Sequence, residues 1–214
     1  MNGTTAKAHL VTALAADDES TRLKAALAAG SNAELDLLDT LVASCAVEPD
    51  FFVRDMLTWA LTRLPREITV PRLLTELRSQ RAQARSQALH TLSKIGDASA
   101  WPAITQSLLR DSYDSVAQSA WRAAVVLVPE DQKAGLAEEL ARQLGRGDRG
   151  TQISLARALI ALGEAVIEPV LHRAMSSDDP VVRAHAEATE KLLRDPNAGF
   201  QHALNQVKRI LAPD

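Results

Sequence analysis

The sequence predicts an all-α fold, a right-handed α-solenoid of about six helical hairpins with a further helix covering the C-terminal end. Three observations predict it. Apolar residues recur with the period of about 3.6 residues that places them on one face of a helix. A pattern of helix starts and stops returns along the chain, as in repeat proteins. Aromatic residues make up 3% of the chain, which favours close-packed Ala/Leu helices over sheets rich in β-branched and aromatic residues.

The clearest hairpin occupies residues 71–96. Its first helix has these apolar residues on one face: Val70, Leu73, Leu74 and Leu77. Its second helix repeats the spacing and is expected to end at Gly96, because glycine readily adopts the left-handed conformation that ends many helices. We expect Pro71, Pro102 and Pro169 each to lie just inside the start of a first helix. There the N–H group that proline lacks has no partner within the helix.

The second helices of six such hairpins begin at equivalent positions. These positions are Arg22, Arg54, Arg85, Ala117, Gln152 and Arg183, separated by 32, 31, 32, 35 and 31 residues. Apolar residues follow most of these positions at the same offsets, and Pro or Gly ends most of the units. We therefore predict six consecutive hairpins that stack on each other, since no single hairpin hides its own apolar face.

We predict that these hairpins and the last helix form one domain over residues 1–214. The predicted repeats cover residues 8–30, 31–65, 66–97, 98–128, 129–163 and 164–196, and the capping helix covers 197–212. The fifth repeat has a longer inner turn, residues 145–150, which we interpret as a plain mobile turn. In the sixth repeat, Asp179 is the expected N-cap and Pro180 the first helical residue.

Charge and cysteine content limit the classes of partner and compartment. The net charge is −3, so no field of the whole molecule attracts nucleic acid or an anionic membrane. A single cysteine excludes an internal disulfide and suits a reducing compartment. Neither the apolar core of a signal peptide nor a run of about 20 apolar residues that would span a bilayer is present. We therefore expect a cytoplasmic protein and predict no cofactor.

The repeat unit resembles the HEAT repeat family, and most closely the short HEAT-like units of phycobilin lyase subunits. The resemblance is carried by Asp-Asp-Pro-Val-Val-Arg at residues 178–183 and by Ala84 and Arg85 at the start of a second helix. In repeats four and five, Ala117 and Gln152 replace the usual arginine. The resemblance covers nearly the whole chain. It implies an α-solenoid whose second helices line the concave face, in a family that mostly binds other macromolecules.

A row of outward-facing residues is the best candidate for a binding surface. The fifth residue after each second-helix start points away from the apolar face, because successive residues are about 100° apart around a helix. The residues at this offset are Leu27, Trp59, His90, Arg122, Arg157 and Ala188. Trp and Arg are enriched at binding hot spots.

We define the predicted stripe as the polar and aromatic members of this row together with their polar neighbours on the same helices. Its members are Trp59, His90, Arg122, Arg157, Asp55, Arg63, Lys94 and Gln118. We expect it to bind an acidic or mixed surface of a protein or peptide. The alternative is a solvated helix face whose Trp is covered by a terminal segment.

Other residues suited to chemistry have structural explanations. We expect Trp121 to pack in the core, Trp101 to act as a hydrophobic staple at a helix start, and Cys45 to be a small buried hydrophobe. The five histidines include no pair four residues apart, and no Cys or carboxylate stands at ligand spacing, so we predict no metal site. The acidic pairs occupy hairpin turns, where Asp is favoured for backbone reasons. No catalytic constellation is predicted.

These observations predict a non-enzymatic scaffold or adaptor that grips a protein or peptide on the concave face. Two alternatives stay open. Residues 112–116 resemble part of the Trp-Trp-Asp-x-Val-Asp segment of HEAT-like alkylpurine DNA glycosylases, with Tyr113 for the aromatic pair and Ala117 for the second Asp. The net charge argues against this alternative, because DNA affinity requires clustered Lys and Arg. A bilin lyase-like subunit is implied by the family resemblance alone. The sequence predicts neither the partner's identity nor the oligomeric state.

Overall fold

The architecture of the chain is all-helical. A computed structural model describes residues 2–195, and within them lie twelve α-helices, three short 3-10 helices and no β-strand. The prediction of an all-α fold is therefore confirmed. The predicted capping helix, residues 197–212, lies outside the described residues.

Two compact units divide the chain between Pro129 and Glu130. The α-helices of the first unit are α1 (Asn2–Leu14), α2 (Glu19–Asn32), α3 (Leu38–Cys45), α4 (Phe51–Thr62), α5 (Arg66–Glu76), α6 (Ala82–Ile95), α7 (Gln106–Leu109) and α8 (Asp114–Leu127). Its 3-10 helices are Leu35–Leu37 and Ala98–Ala103. The second unit begins with a 3-10 helix, Glu130–Gln132. Its α-helices are α9 (Lys133–Ala141), α10 (Arg149–Ala161), α11 (Glu164–Met175) and α12 (Pro180–Arg194). The single domain over residues 1–214 stays a prediction.

Helices that follow each other in sequence pack as hairpins. The pairs of the first unit are α1/α2, α3/α4, α5/α6 and α7/α8, and its second helices α2, α4, α6 and α8 pack in succession. In the second unit, α9 pairs with α10 and α11 with α12, while α10 packs on α12 and α9 on α11. The six predicted hairpins thus correspond to six helix pairs within residues 2–195. Inside each unit, neighbouring hairpins cover each other's apolar faces. The right-handed sense of the solenoid stays a prediction.

Aspartates start most of the second helices. The N-caps that use a side-chain carboxylate on α2, α4, α10 and α12 are Asp18, Asp50, Asp148 and Asp179. Each accepts a hydrogen bond from a backbone N–H that has no partner inside the helix. Hydrogen bonds from the hydroxyl and the N–H of Thr21 hold the pKa of Asp18 below its ordinary value. The predicted N-cap Asp179 and first helical residue Pro180 are confirmed.

A long polar side chain near the start of a second helix holds the turn before it. Arg54 of α4 donates to the carbonyl oxygens of Glu48 and Pro49 at 2.9 and 2.6 Å. Equivalent bonds to turn carbonyls are made by Arg22, Arg85 and Arg183. Gln152 reaches two turn carbonyls at 3.4 and 3.5 Å, and Ala117 has no polar side chain to do so. The equivalent second-helix positions found in the sequence are therefore, except for Ala117, the ones whose side chains donate hydrogen bonds to the hairpin turns.

Two of these arginines also bind the turn of the next hairpin. Arg22 Nε lies 2.7 Å from Glu48 Oε2, and this hydrogen bond raises the pKa of Arg22. Arg85 Nη2 lies 2.9 Å from Asp111 Oδ2, with both side chains largely buried. Each of these guanidinium groups therefore donates hydrogen bonds to carbonyl oxygens of its own turn and forms an ion pair with the turn of the next hairpin.

The prolines of the first helices lie deeper in their helices than predicted. Helices α5 and α11 begin well before Pro71 and Pro169, and Pro102 lies inside the 3-10 helix Ala98–Ala103. The prediction that these prolines start their helices is wrong. The carbonyl groups that lose a donor to Pro71 and Pro169 belong to exposed residues, Glu67 and Ala165. Water can replace the missing hydrogen bond there, so the helix continues past the proline.

Trp121 and Cys45 are buried as predicted. Trp121 is 0% exposed, and its indole N–H donates to the carbonyl oxygen of Leu109 at 2.8 Å, which joins α8 to α7. Cys45 is 4% exposed in α3, and burial raises the pKa of its thiol to about 12. Trp101 lies within the 3-10 helix Ala98–Ala103 rather than at the start of a first α-helix. The predicted staple is therefore not formed at a helix start.

The turn at residues 145–150 is tied to α12. Asp148 caps α10, so the last residues of this segment are helical. The buried His185 of α12 accepts a hydrogen bond at Nδ1 from the N–H of Gly145, at 2.9 Å. Its Nε2 lies 2.9 Å from the carbonyl oxygen of Gln152. The two partners assign a neutral imidazole with its proton on Nε2, and they anchor Gly145, the first residue of the turn. The mobility of the turn stays a prediction.

Removing the guanidinium of Arg85 should destabilise the first unit. In Arg85→Ala, the largely buried carboxylate of Asp111 loses its ion pair with the guanidinium and keeps the hydrogen bond from the N–H of Tyr113. Removing one partner of a buried ion pair costs about 3 kcal/mol. Arg81→Ala, at an exposed position one helical turn earlier, is the matched control and should change stability by less than about 0.5 kcal/mol. Urea unfolding followed by tryptophan fluorescence measures both. Equal losses in the two variants would contradict the proposed role of Arg85.

Lowering the pH should destabilise the second unit through His185. Burial lowers the pKa of His185 below its ordinary value of 6.5, and a proton on Nδ1 would face the N–H of Gly145. The stabilising contribution of the neutral form is therefore complete above the unfolded pKa. It is lost as the pH falls from there through the lower folded pKa. Urea unfolding followed by circular dichroism should show this decline.

Two variants separate His185 from the other titrating groups. His185→Asn takes up no proton in this range, so its stability should be lower at neutral pH but should vary less between about pH 7 and 5. His172→Asn, on the exposed part of α11, should keep the wild-type pH profile. Parallel profiles for the wild type and His185→Asn would show that His185 is not the group responsible.

Candidate partner-binding cleft

A cleft opens on the face formed by the second helices of the first unit. It has a volume of about 330 Å³ and is lined by residues of α4, α6 and α8. We call it the second-helix cleft. Its lining residues are Phe51, Arg54, Asp55, Ser86, Gln87, His90, Ser115, Gln118, Ser119 and Arg122. Because α4, α6 and α8 pack in succession, side chains at equivalent repeat positions meet here.

A chain of hydrogen bonds joins α6 to α8 at this cleft. Ser86 donates to the carbonyl oxygen of Ser115 at 3.0 Å, and its Oγ lies 2.9 Å from Ser119 Oγ. Since the Ser86 proton is used on Ser115, Ser119 is the donor to Ser86. The Nη2 group of Arg122 in turn donates to Ser119 Oγ at 3.1 Å. The chain therefore runs in one direction, from the guanidinium to a backbone carbonyl.

The direction of this chain determines what the two serines can do. The hydroxyl protons of both serines are already donated within the protein. Within residues 7–195, neither serine forms a hydrogen bond with His90. A serine nucleophile needs a base that takes its proton, so this arrangement does not form one. The hydroxyl of Ser119, which is 2% exposed, instead positions the guanidinium of Arg122.

The guanidinium of Arg122 makes no ion pair with any residue between 7 and 195; its hydrogen-bond partner there is Ser119. Burial lowers the pKa of Arg122, but arginine remains protonated in proteins. One N–H group is used on Ser119, and the others remain for a ligand. A planar guanidinium binds a carboxylate through two parallel hydrogen bonds. The cleft therefore offers a guanidinium that forms no ion pair within residues 7–195, although the carboxylate of Asp55 also lines the cleft.

His90 lies in the same cleft and is neutral at pH 7. Burial is the main cause that lowers its pKa, and the positive charges of Arg122 and Lys94 lower it further, while Asp55 has the opposite effect. The histidine therefore adds hydrogen-bonding capacity without a second positive charge. An anion bound at Arg122 would raise the pKa of His90 again, because a negative charge favours the protonated imidazole.

An exposed aromatic pair lies at the first turn of α4, and the sequence analysis did not identify it. Phe51 and Phe52 are 65% and 66% exposed, and their ring centroids are 5.6 Å apart in an edge-to-face arrangement. Phe51 also lines the second-helix cleft. The signal was available: two of the three phenylalanines of the chain are adjacent, directly after a turn. Large exposed aromatic side chains beside an arginine are typical of binding hot spots.

The structure brings part of the predicted stripe together. The members that line the cleft are Asp55, His90, Gln118 and Arg122. Arg63 follows the last residue of α4 and Lys94 lies in the last turn of α6; both are exposed, and neither lines the cleft. Arg157 is exposed on α10, in the second unit. A role of these residues in partner binding stays a prediction.

Trp59, which the sequence predicts to point away from the apolar face, is not fully exposed. It is half-buried, and its ring lies against the backbone of Gly30 in α2. A Cβ atom on Gly30 would come within 2.3 Å of Trp59 Cζ3. The expectation of an exposed Trp59 is wrong because a residue without a side chain lets α2 approach α4 closely enough to cover the ring.

A larger cleft lies on the first-helix side of the same unit. It has a volume of about 530 Å³ and is lined by residues of α5, α7 and the segments around them, among them Leu74, Leu77 and Pro102. Its buried guanidinium, Arg85, is already paired with Asp111. The buried guanidinium of this cleft is therefore already used within the protein.

Residues 2–195 contain no group of three or more His, Cys, Asp and Glu side chains arranged to hold a metal ion. Among the same residues, no helix has the length and apolar character needed to cross a membrane.

No protein-family model and no curated protein matches the chain. Solved structures that resemble it include the complex of CpcE and CpcF of phycocyanin lyase from Nostoc sp. PCC7120. That match has 24% sequence identity, covers 83% of this chain and 73% of the other, and has a TM-score of 0.49.

Two engineered proteins also match. One has 20% identity over 90% of this chain and 99% of the other, with a TM-score of 0.49. The second has 22% identity over 86% of this chain and 95% of the other, with a TM-score of 0.47. The all-α fold rests on the helices described above, and a likeness at this level transfers no activity between proteins.

A methyl group on Gly30 should destabilise the first unit, because it would collide with the ring of Trp59 and with Ala60 Cα, 2.9 Å away. Gly30→Ala should cost about 1–3 kcal/mol through overpacking. Gly135→Ala, inside α9 with open space around the new Cβ, is the control and should stabilise by about 0.5–1 kcal/mol. Thermal unfolding measures both. A neutral Gly30→Ala would show that Trp59 is not held against α2.

Proposed function

We propose that this protein is a non-enzymatic scaffold that binds a partner protein or peptide on the second-helix face of its first unit. The single observation that carries the proposal is the second-helix cleft, where an exposed Phe51 accompanies an Arg122 guanidinium that bonds to Ser119 and makes no ion pair within residues 7–195. Aromatic and arginine side chains contribute a large share of the free energy of protein–protein binding. The resemblance of the repeats to the HEAT family supports the same role.

The chemistry of the cleft supports binding rather than hydrolysis. The hydroxyl protons of Ser86 and Ser119 are committed to a chain that ends on a backbone carbonyl. The guanidinium is positioned by this chain, as a recognition group requires. We also propose that the protein acts in the cytoplasm, which agrees with its single buried free thiol at Cys45.

The two alternatives from the sequence have weaker support. One similar structure contains subunits of phycocyanin lyase, in agreement with the family resemblance. This likeness does not identify any residue of this chain as bilin-binding. For the glycosylase alternative, the position of the second Asp is taken by Ala117, which is fully buried in α8. The net charge of −3 also disfavours a phosphate backbone as the partner.

Replacing both Phe51 and Arg122 with Ala should reduce the capture of partner proteins from a lysate of the native host by at least about tenfold. Hot-spot residues typically contribute about 2 kcal/mol or more each, and about 1.4 kcal/mol corresponds to a tenfold change in affinity. Affinity capture followed by quantitative mass spectrometry measures the loss for each protein.

The control pair is Leu35→Ala with Arg81→Ala, which removes one exposed apolar side chain and one exposed arginine of the first unit outside the cleft. It should capture the wild-type set of proteins. If the Phe51/Arg122 variant also keeps every wild-type partner, the scaffold proposal fails. Tetrapyrrole absorbance after co-expression would favour the lyase-like alternative, and salt-sensitive DNA binding would favour the glycosylase alternative.

A further inference from the structure

We propose that Arg122 receives the carboxylate of an aspartate or glutamate side chain of the partner, with an apolar partner residue packing beside it on Phe51. This inference rests on the proposed scaffold function and specifies the chemistry that the cleft recognises. It is built on three features of the cleft: the Arg122 guanidinium, which makes no ion pair within residues 7–195, the two serine hydroxyls that hold it, and the exposed ring of Phe51.

The guanidinium is the group that binds the carboxylate, because it is charged, donates N–H bonds and is held in position. Its Nη2 group is fixed on Ser119, whose hydroxyl is fixed on Ser86, which ends on the Ser115 carbonyl. A guanidinium that is already hydrogen-bonded through one nitrogen loses less conformational freedom on binding than a free side chain does. Its remaining N–H groups match the two oxygens of a carboxylate in a planar, bidentate arrangement.

A singly charged carboxylate fits the cleft better than a phosphate group. The other arginine of the cleft, Arg54, already donates to the carbonyl oxygens of Glu48 and Pro49. The carboxylate of Asp55 lines the same cleft and would repel a doubly charged anion more strongly than a singly charged one. Phosphorylated ligands carry about −1.5 to −2 charges near pH 7 and are usually bound by clusters of arginines.

The exposed ring of Phe51 gives the partner a second point of contact. It lines the cleft from the first turn of α4, while Arg122 approaches from α8. A partner segment that reaches both must carry an acidic side chain and an apolar one. The carboxylate of Asp55 lines the same cleft and disfavours a further acidic residue of the partner there. The recognised ligand is therefore a segment with one acidic residue near an apolar residue.

The test uses the full-length protein and a display library of random short peptides. Peptides enriched on the wild-type protein are synthesised with a fluorophore, and their affinities are measured by fluorescence anisotropy. We expect the enriched sequences to share an Asp or Glu residue. Changing that residue to Asn or Gln should weaken binding to the wild type at least about tenfold, because a neutral amide cannot form the charge-assisted, bidentate hydrogen bonds that a carboxylate forms with the guanidinium.

A double-mutant cycle assigns the carboxylate to Arg122. The change of the peptide's acidic residue to an amide should have little further effect on binding to Arg122→Ala, since the partner group is already absent. Arg122→Lys should retain part of the affinity, because an ammonium keeps the charge but not the planar pair of donors. Arg122→Glu should bind a peptide with Lys in place of the acidic residue. Circular dichroism checks that each variant keeps the wild-type helicity.

Ser119→Ala tests the positioning role of the hydroxyl chain. It leaves the charge of Arg122 in place but removes the group that fixes it. We expect a smaller preference for the acidic peptide over its amide analogue than in the wild type, at unchanged helicity. An unchanged preference in Ser119→Ala would remove the positioning role from the proposal.

Three outcomes distinguish this inference from the proposed function. Enriched peptides that need Phe51 but no acidic residue would overturn the carboxylate site and leave the scaffold function standing. A peptide with phosphoserine in place of the acidic residue that binds tenfold more tightly would also overturn it, in favour of a phosphorylated ligand. Peptides whose binding depends on neither Phe51 nor Arg122 would overturn both the inference and the proposed function.

Discussion

The turn carbonyls of the hairpins are the constraint on which the rest of this structure depends. Each hairpin reverses the chain within a few residues, so backbone carbonyls near the turn lose their helical partners and need other donors. A guanidinium from the second helix supplies them, as Arg54 does for the turn at Glu48 and Pro49. Arg85 extends the same principle to the next repeat through Asp111. With the turns fixed, the second helices of the first unit pack in succession, and equivalent side chains of α4, α6 and α8 meet on one face.

Much of the fold could be predicted because it follows from local patterns. Short segments of the sequence are enough to identify the regular spacing of the second-helix starts, the apolar face of each helix and an N-cap such as Asp179. The exact starts of the first helices could not be predicted, because they depend on whether water reaches a carbonyl near Pro71 or Pro169. The contact between His185 and the turn at Gly145 spans 40 residues, and no periodic pattern encodes such a pairing.

The site was predictable to a smaller extent. The helical wheel identified the face, and it placed His90 and Arg122 on the same surface, because both depend on the repeat offset alone. It misjudged Trp59, since the exposure of that ring is set by the missing side chain of Gly30 on another helix. It also missed Phe51, which lies in the first helical turn rather than at the offset considered. Burial depends on what the neighbouring hairpin supplies, and a wheel drawn for one helix does not contain that information.

The position of Cys45 has a practical consequence for spectroscopy. It is the single cysteine of the chain, and a buried thiol with a pKa of about 12 has almost no thiolate, the form that maleimides and iodoacetamides alkylate. A new cysteine at an exposed position such as Val47 would therefore react far faster than the native one. Site-selective fluorophores or spin labels can be attached beside α4 while the wild-type cysteine is kept.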